Sequence, residues 1–294
     1  MGISMRQHLA SLVAVFLAML IGVLVGVSLS QEPALQKSMD RLTQVHEEME
    51  QEQQRLAELN DLHAKFESSA APLLVRGRLA DRNVAIFMTC LPEDRDLRDE
   101  VIAVLKLAGA LDTITVTFWG DYTTACERRG PRLLEELRLS QKNGQTLPAL
   151  IAGLAAGAVA SGNAERLNAL GKRRLLNVDG ELPGPLRLAV VVGGAASPAE
   201  ARRETLDEPL IAALLEAEMV VVGCESSEAA ESYMRAYQKA NIATVDHLDT
   251  VPGLLSMVTA LSGQPGHYGI KPTAALPFPL LTSGDESFSR NLSR

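Results

Sequence analysis

The sequence predicts an α/β fold carried on one N-terminal transmembrane helix and a coiled-coil stalk, with a mostly parallel sheet covered by helices on both faces. Three observations predict it. Residues 9–29 form an uncharged apolar run, residues 32–69 contain no glycine and repeat apolar residues in heptads, and after Arg82 short β-rich runs alternate with helical stretches. The expected organisation is a membrane segment in 1–30, a stalk in 31–71, an α/β domain in 72–262 and a flexible tail in 263–294.

The apolar run reads LASLVAVFLAMLIGVLVGVSL. At a rise of about 1.5 Å per residue it covers about 30 Å, the thickness of the hydrocarbon layer. A lone segment in lipid must bond its own amides, so it must be helical. A cleaved signal peptide is the competing reading, since Ser28 and Ser30 are small residues two apart and Gln31 would follow the cut. The run is longer than the ~7–15 residues of a signal h-region, which favours the anchor. Arg6 before the run and Lys37 and Arg41 after it, offset by Glu32 and Asp40, leave the orientation open by charge. Gly22 and Gly26 form a GxxxG, which either permits close helix approach or is merely tolerated.

In the stalk, Leu35, Leu42, Met49, Leu56 and His63 take heptad position a, and Ser38, Val45, Glu52, Leu59 and Phe66 take position d. A helix of this length cannot bury its stripe alone, so a parallel dimer with a second copy is expected. The alternative is that the stripe folds back on its own domain. Pro72 is the expected helix stop.

In the domain, residues 83–89 (NVAIFMT), 113–119 (TITVTFW), 188–192 (LAVVV), 219–222 (MVVV) and 242–245 are strand candidates. Helices are expected at 93–107, 205–216, 227–239 and 252–261, with a looser helical region at 131–157. The apolar runs do not alternate, as strands covered on both faces require. The Pro-, Gly- and Ser-rich end reads as loosely ordered.

The chain of 294 residues needs no covalent staples, and its net charge of −8 comes with no basic stretch to neutralise phosphates. Nucleic-acid binding is therefore excluded. Cys90, Cys126 and Cys224 show neither CxxC nor metal-ligand spacing, which excludes a disulfide framework. No GxGxxG, GxxxxGK[ST], GxSxG or HExxH occurs, and Gly193-Gly194 reads as a turn. His247 beside Asp246 and Asp249 reads as structural rather than catalytic, so a non-enzyme is expected. Sulfur ligands favour copper(I). Met88 and Cys90 end one strand and Cys224 follows another, so a two-thiolate site at one sheet edge is a candidate beside the alternative of buried, inert sulfur.

Two segments then carry a family resemblance. MRQHLASLVAVFLAMLIGVLVG and ATVDHLDTVPGLLSMVTALSGQPGHYG resemble the two ends of the mycobacterial copper transport protein B family. The matching positions are Arg6, His8, Ser11, Gly22 and Gly26, then Thr244, Val245, Asp246, Asp249, Thr250, Gly253, Gly266, His267, Tyr268 and Gly269. The resemblance implies a role in copper efflux or homeostasis at the cell envelope, the family being described as a pore of the outer membrane; the main domain is expected on the extracytoplasmic side. It also implies similarity to actinobacterial envelope proteins of cell separation, which act beside a cytosolic partner. A non-catalytic scaffold docking such a partner is the alternative function. The GHYG residues could serve as a turn sealing the domain.

Overall fold

The structure is a computed structural model that describes residues 5–90, 94–141 and 144–279. Within the first helix the side chains of 5–7, 28–36, 38 and 68 lie outside the described residues, as do residues 280–294. Arg6, Leu35 and Ser38 are among those side chains. The chain divides into two units between Phe66 and Glu67.

The first unit is helical. Helix α1, Met5–Val75, runs unbroken through the apolar run and the stalk, its last turns belonging to the second unit. Its segment His8–Val27 is long and apolar enough to cross a membrane, and none of it is buried. The stalk carries i,i+4 pairs on its surface, such as His46 with Glu50 at 3.2 Å and Lys65 with Asp61 at 2.5 Å. Pro72 does not end the helix. The helix continues because its last residue, Val75, is buried in the domain core, and Gly77, at φ 75°, makes the reversal that stops it.

The second unit holds a seven-stranded sheet among the described residues. Its strands are β1 Val84–Met88, β2 Thr113–Phe118, β3 Leu176–Asp179, β4 Leu188–Gly193, β5 Val220–Glu225, β6 Ala243–Val245 and β7 His267–Tyr268. The order is β3-β2-β1-β4-β5-β6-β7, all parallel except β3, which pairs antiparallel with β2. The β1 residues show why the run had to be wholly apolar. Ala85 and Phe87 enter one core, while Val84, Ile86 and Met88 enter the other, and all five are buried. Burying such a side chain stabilises by about 1.5–3 kcal/mol, so a polar residue at any of them would be felt.

Helices cover both faces. On one lie α3 Tyr122–Glu136, α4 Leu147–Ser161, α5 Ala164–Lys172, α6 Glu208–Glu216 and α7 Met234–Lys239. On the other lie the end of α1, α2 Arg95–Leu107 and α8 Val251–Leu261. The helix α2 starts where Asp94 accepts a hydrogen bond from the Leu97 amide at 2.9 Å, and it buries Leu97, Val101, Val104 and Leu105. Thr250 caps α8 in the same way through the Gly253 amide at 3.1 Å.

Several expectations are corrected. The helix expected from 131 begins at Tyr122 and takes Pro131 into its interior, because Tyr122, Ala125, Cys126 and Leu133 give it a buried stripe. The helix expected over 227–239 shrinks to α7: the Glu225 carboxylate binds the Tyr233 amide at 2.9 Å and the Ser232 hydroxyl at 2.6 Å, holding 226–233 in turns. The segment from 263, expected to be loose, contributes β7, which pairs with β6. Strand β3 and helix α5 were not anticipated at all.

Candidate functional site

In a sheet wound in two directions, the connections after two adjacent strands depart to opposite sides and leave a crevice at their C-terminal ends. Here the reversal falls between β1 and β4, since β1 leads towards β2 and β4 leads towards β5. A cleft of about 490 Å³ opens at that place. Cys90 follows β1 into it, Val192 to Ala196 line it from β4, the first turn of α2 supplies Asp94, Arg95, Asp96 and Leu97, and Ser226, Glu228 and Ala229 close it from β5. Gly194 takes φ 89° there, consistent with the turn expected for the glycine pair. Gly193 has a second reason: a Cβ would collide with the Tyr237 hydroxyl and the Asp207 carboxylate.

Those two groups belong to a buried polar network under the opposite face of the β1–β4 edge. Asp207 Oδ2 accepts from the Thr89 hydroxyl at 2.8 Å and from the Tyr237 hydroxyl. Arg202 donates to the carbonyls of Trp119 at 2.6 Å and Thr89 at 2.7 Å, and its amide donates to the Tyr233 hydroxyl at 2.8 Å. A π-helical turn, Arg203–Asp207, leads from Arg202 into α6 and sets Asp207 facing the strand ends. Burial is the main cause that raises the Asp207 pKa to about 6, against the hydroxyls and Arg202, which favour the carboxylate. Asp207 Oδ1 has no hydrogen-bond partner among the described residues.

The C-terminal residues of the resemblance form a clasp. The Asp246 carboxylate accepts from the amides of Ile270 at 2.8 Å and Lys271 at 3.1 Å. Lys271 Nζ then reaches Glu225 at 2.7 Å, in whose carboxylate burial raises the pKa while Lys271 and Ser232 oppose it. His267 Nδ1 lies 3.0 Å from the Thr244 hydroxyl, Tyr268 is buried and donates to the Gln264 carbonyl at 3.0 Å, and a Cβ at Gly266 would strike the Tyr268 ring. Asp249 accepts from the Ser227 amide at 2.7 Å and the Ser227 hydroxyl at 2.5 Å. His247 is buried beside Asp246, 3.5 Å away, and burial lowers its pKa against the opposing pull of Asp246 and Asp249. His8 is exposed within the apolar helix segment.

The sulfur residues end on one face but not side by side. Met88 pairs with Val192 and Val192 with Cys224, so β4 separates the two by two strand spacings, about 10 Å. Cys224 and Met88 are fully buried, and Cys90 is the one cysteine that is part-exposed, at the cleft. Burial raises the Cys90 thiol to about 11, Cys126 to about 12 and Cys224 further still. Among the described residues no group of three or more His, Cys, Asp or Glu stands close enough together to hold a metal ion.

The network of Thr89, Arg202, Asp207, Glu225, Tyr233, Tyr237 and Lys271 escaped the sequence reading. Its one signal was acids inside apolar surroundings, Glu225 directly after VVVGC and Asp207 before a buried helix.

Known proteins match this sequence over most of its length. The family model described as "Copper transport outer membrane protein, MctB" matches residues 2–279. The copper transporters MctB of Mycobacterium bovis and Mycobacterium tuberculosis are each 28% identical over 315 aligned residues, covering 91% of this chain and 96% of the relative. The match takes in the apolar helix, the doubly wound sheet and the clasp together, and the chain belongs to the MctB family of copper transport proteins.

Proposed function

We propose that this chain is a membrane-anchored component of copper efflux or homeostasis at the cell envelope, presenting its α/β domain on the extracytoplasmic side, and that it works without catalysis. Copper(I) is the substrate in this reading, met at the switch-point cleft. The observation that carries it is Cys90, a soft sulfur at the mouth of a cleft where folds of this winding bind their ligands. Met88 and Cys224, buried on the same side of the sheet and separated by β4, do not line that cleft, so Cys90 is the sulfur the reading rests on. Because burial raises the Cys90 thiol to about 11, binding must release a proton from it. The described sheet is open and its strands are covered on both faces, and a single apolar helix encloses no channel. In this reading the domain is a tethered binding partner of the transport route, and conduction by the anchors would need an oligomer.

Titrating full-length protein in detergent with copper(I) against a competing chelator tests this. We expect one tightly held ion per chain. Cys90→Ser should lose more than the ~10–100-fold that removing a supporting neighbour costs, while Cys126→Ser should bind normally. Equal binding by wild type and Cys90→Ser would reject the site.

The exposed apolar side chains of the stalk favour a second reading, an envelope scaffold that docks a partner protein. On that reading, deletion alters cell separation at ordinary copper levels, and removal of residues 31–66 loses the partner from membrane pull-downs. Normal cell separation together with an unchanged pull-down would reject it.

A further inference from the structure

We infer that the stalk closes on a second copy of this chain, in parallel and in register, and that the Gly22 and Gly26 face of the same helix turns outward from that pair. The inference rests on the tether reading, since anchors in one bilayer hold two stalks in the same direction and at high mutual concentration. Leu42, Val45, Met49, Leu56, Leu59 and Phe66 are each between 43% and 70% exposed, a large apolar area for one helix to leave in water. They follow the 3–4 spacing of a knobs-into-holes seam, and in register each meets its own copy. A parallel pair removes this continuous apolar stripe from water, which one chain alone leaves exposed.

The seam edges permit this pairing. In a parallel pair, position g of one copy faces the following e position of the other, bringing Arg41 to His46, Glu48 to Gln53 and Arg55 to Asn60. No two acids meet there. Glu52 at d and His63 at a are the flaws: the pair sets two carboxylates and two imidazoles in its own core, which weakens it. Because α1 is unbroken, the seam's phase carries back into the apolar run. Gly22 and Gly26 fall at positions b and f there, on the far side of the helix from Leu42 and Val45. The GxxxG is therefore not part of the contact that zips the stalk.

The test uses full-length protein in native membranes, with single cysteines introduced and mild oxidation applied. Leu42→Cys and Leu56→Cys, at the seam, should form linked dimers at least ~10-fold above Glu47→Cys and Gln54→Cys on the outer face. Glu52→Leu on the Leu56→Cys background should raise the linked fraction several-fold, and Gly22→Ile should leave it unchanged. Equal linkage at inner and outer positions, or none at the seam while the protein remains in the membrane fraction, overturns the pairing. Loss of linkage because the chain appears in the soluble fraction would instead overturn the tether on which the pairing rests. Loss of linkage with Gly22→Ile would overturn the outward placement of that face.

Discussion

Gly269→Ala is expected to release the C-terminal clasp and to cost the domain on the order of 3 kcal/mol. The residue sits at φ 155° with its Cα against the Asp246 carboxylate, and a Cβ would fall among that group's own atoms. Neither side can yield cheaply. Asp246 is 1% exposed and held by the amides of Ile270 and Lys271, so displacing it leaves a buried carboxylate without donors. The loss spreads, because Lys271 is also the cation over the buried Glu225. Urea unfolding of the full chain in detergent, followed by Trp119 fluorescence, reads the effect. The double variant Asp246→Ala with Gly269→Ala should cost less than the sum of the two singles by ~1 kcal/mol or more, since removing the carboxylate makes room for the methyl. Strict additivity would contradict the contact.

Asp207→Asn is expected to leave stability near pH 4 almost unchanged and to raise it by on the order of 2 kcal/mol near pH 7.5. The sign follows from the direction of the shift. Burial lifts the folded pKa from 3.8 to about 6, so the folded state holds the proton more tightly than the unfolded chain does. The stability this contributes is complete below pH 3.8 and is lost as the pH rises through about 6. Asparagine keeps the neutral form throughout and removes that loss. Arg202, Thr89 and Tyr237 all favour the charged form, which holds the shift to about 6 despite full burial. Asp249 and Glu136 are shifted downward and act in the opposite sense, so the informative quantity is the difference between wild type and variant at each pH. A difference that does not change between pH 4 and 7.5 would contradict the assignment.

The parts of the fold that were legible are those where one physical requirement governs a whole run of residues. Strands β1, β4 and β5 had to be apolar at every position because both faces are covered, and the apolar helix had to be uncharged along its length. β3 was not legible: Leu176–Asp179 is a short antiparallel edge strand with an exposed end, and it lacks that constraint. The overlong helix at 227–239 arose because local propensity says nothing about Glu225, whose carboxylate claims the donors of Ser232 and Tyr233. Met88 ends β1 with Cys90 just beyond it, while Cys224, expected after its strand, lies inside β5. Their separation was hidden, because the strand order that inserts β4 between β1 and β5 depends on contacts far apart in the chain. The buried network was hidden for the same reason, with members scattered from Thr89 to Lys271.

The central claim is that His8–Val27 remains in the bilayer as one span and tethers the domain. An alkaline carbonate wash of membranes from cells producing the full chain tests it most directly. The chain should stay with the membrane pellet, while a version starting at Gln31 should be released. Release of the full chain by the same wash would contradict the account.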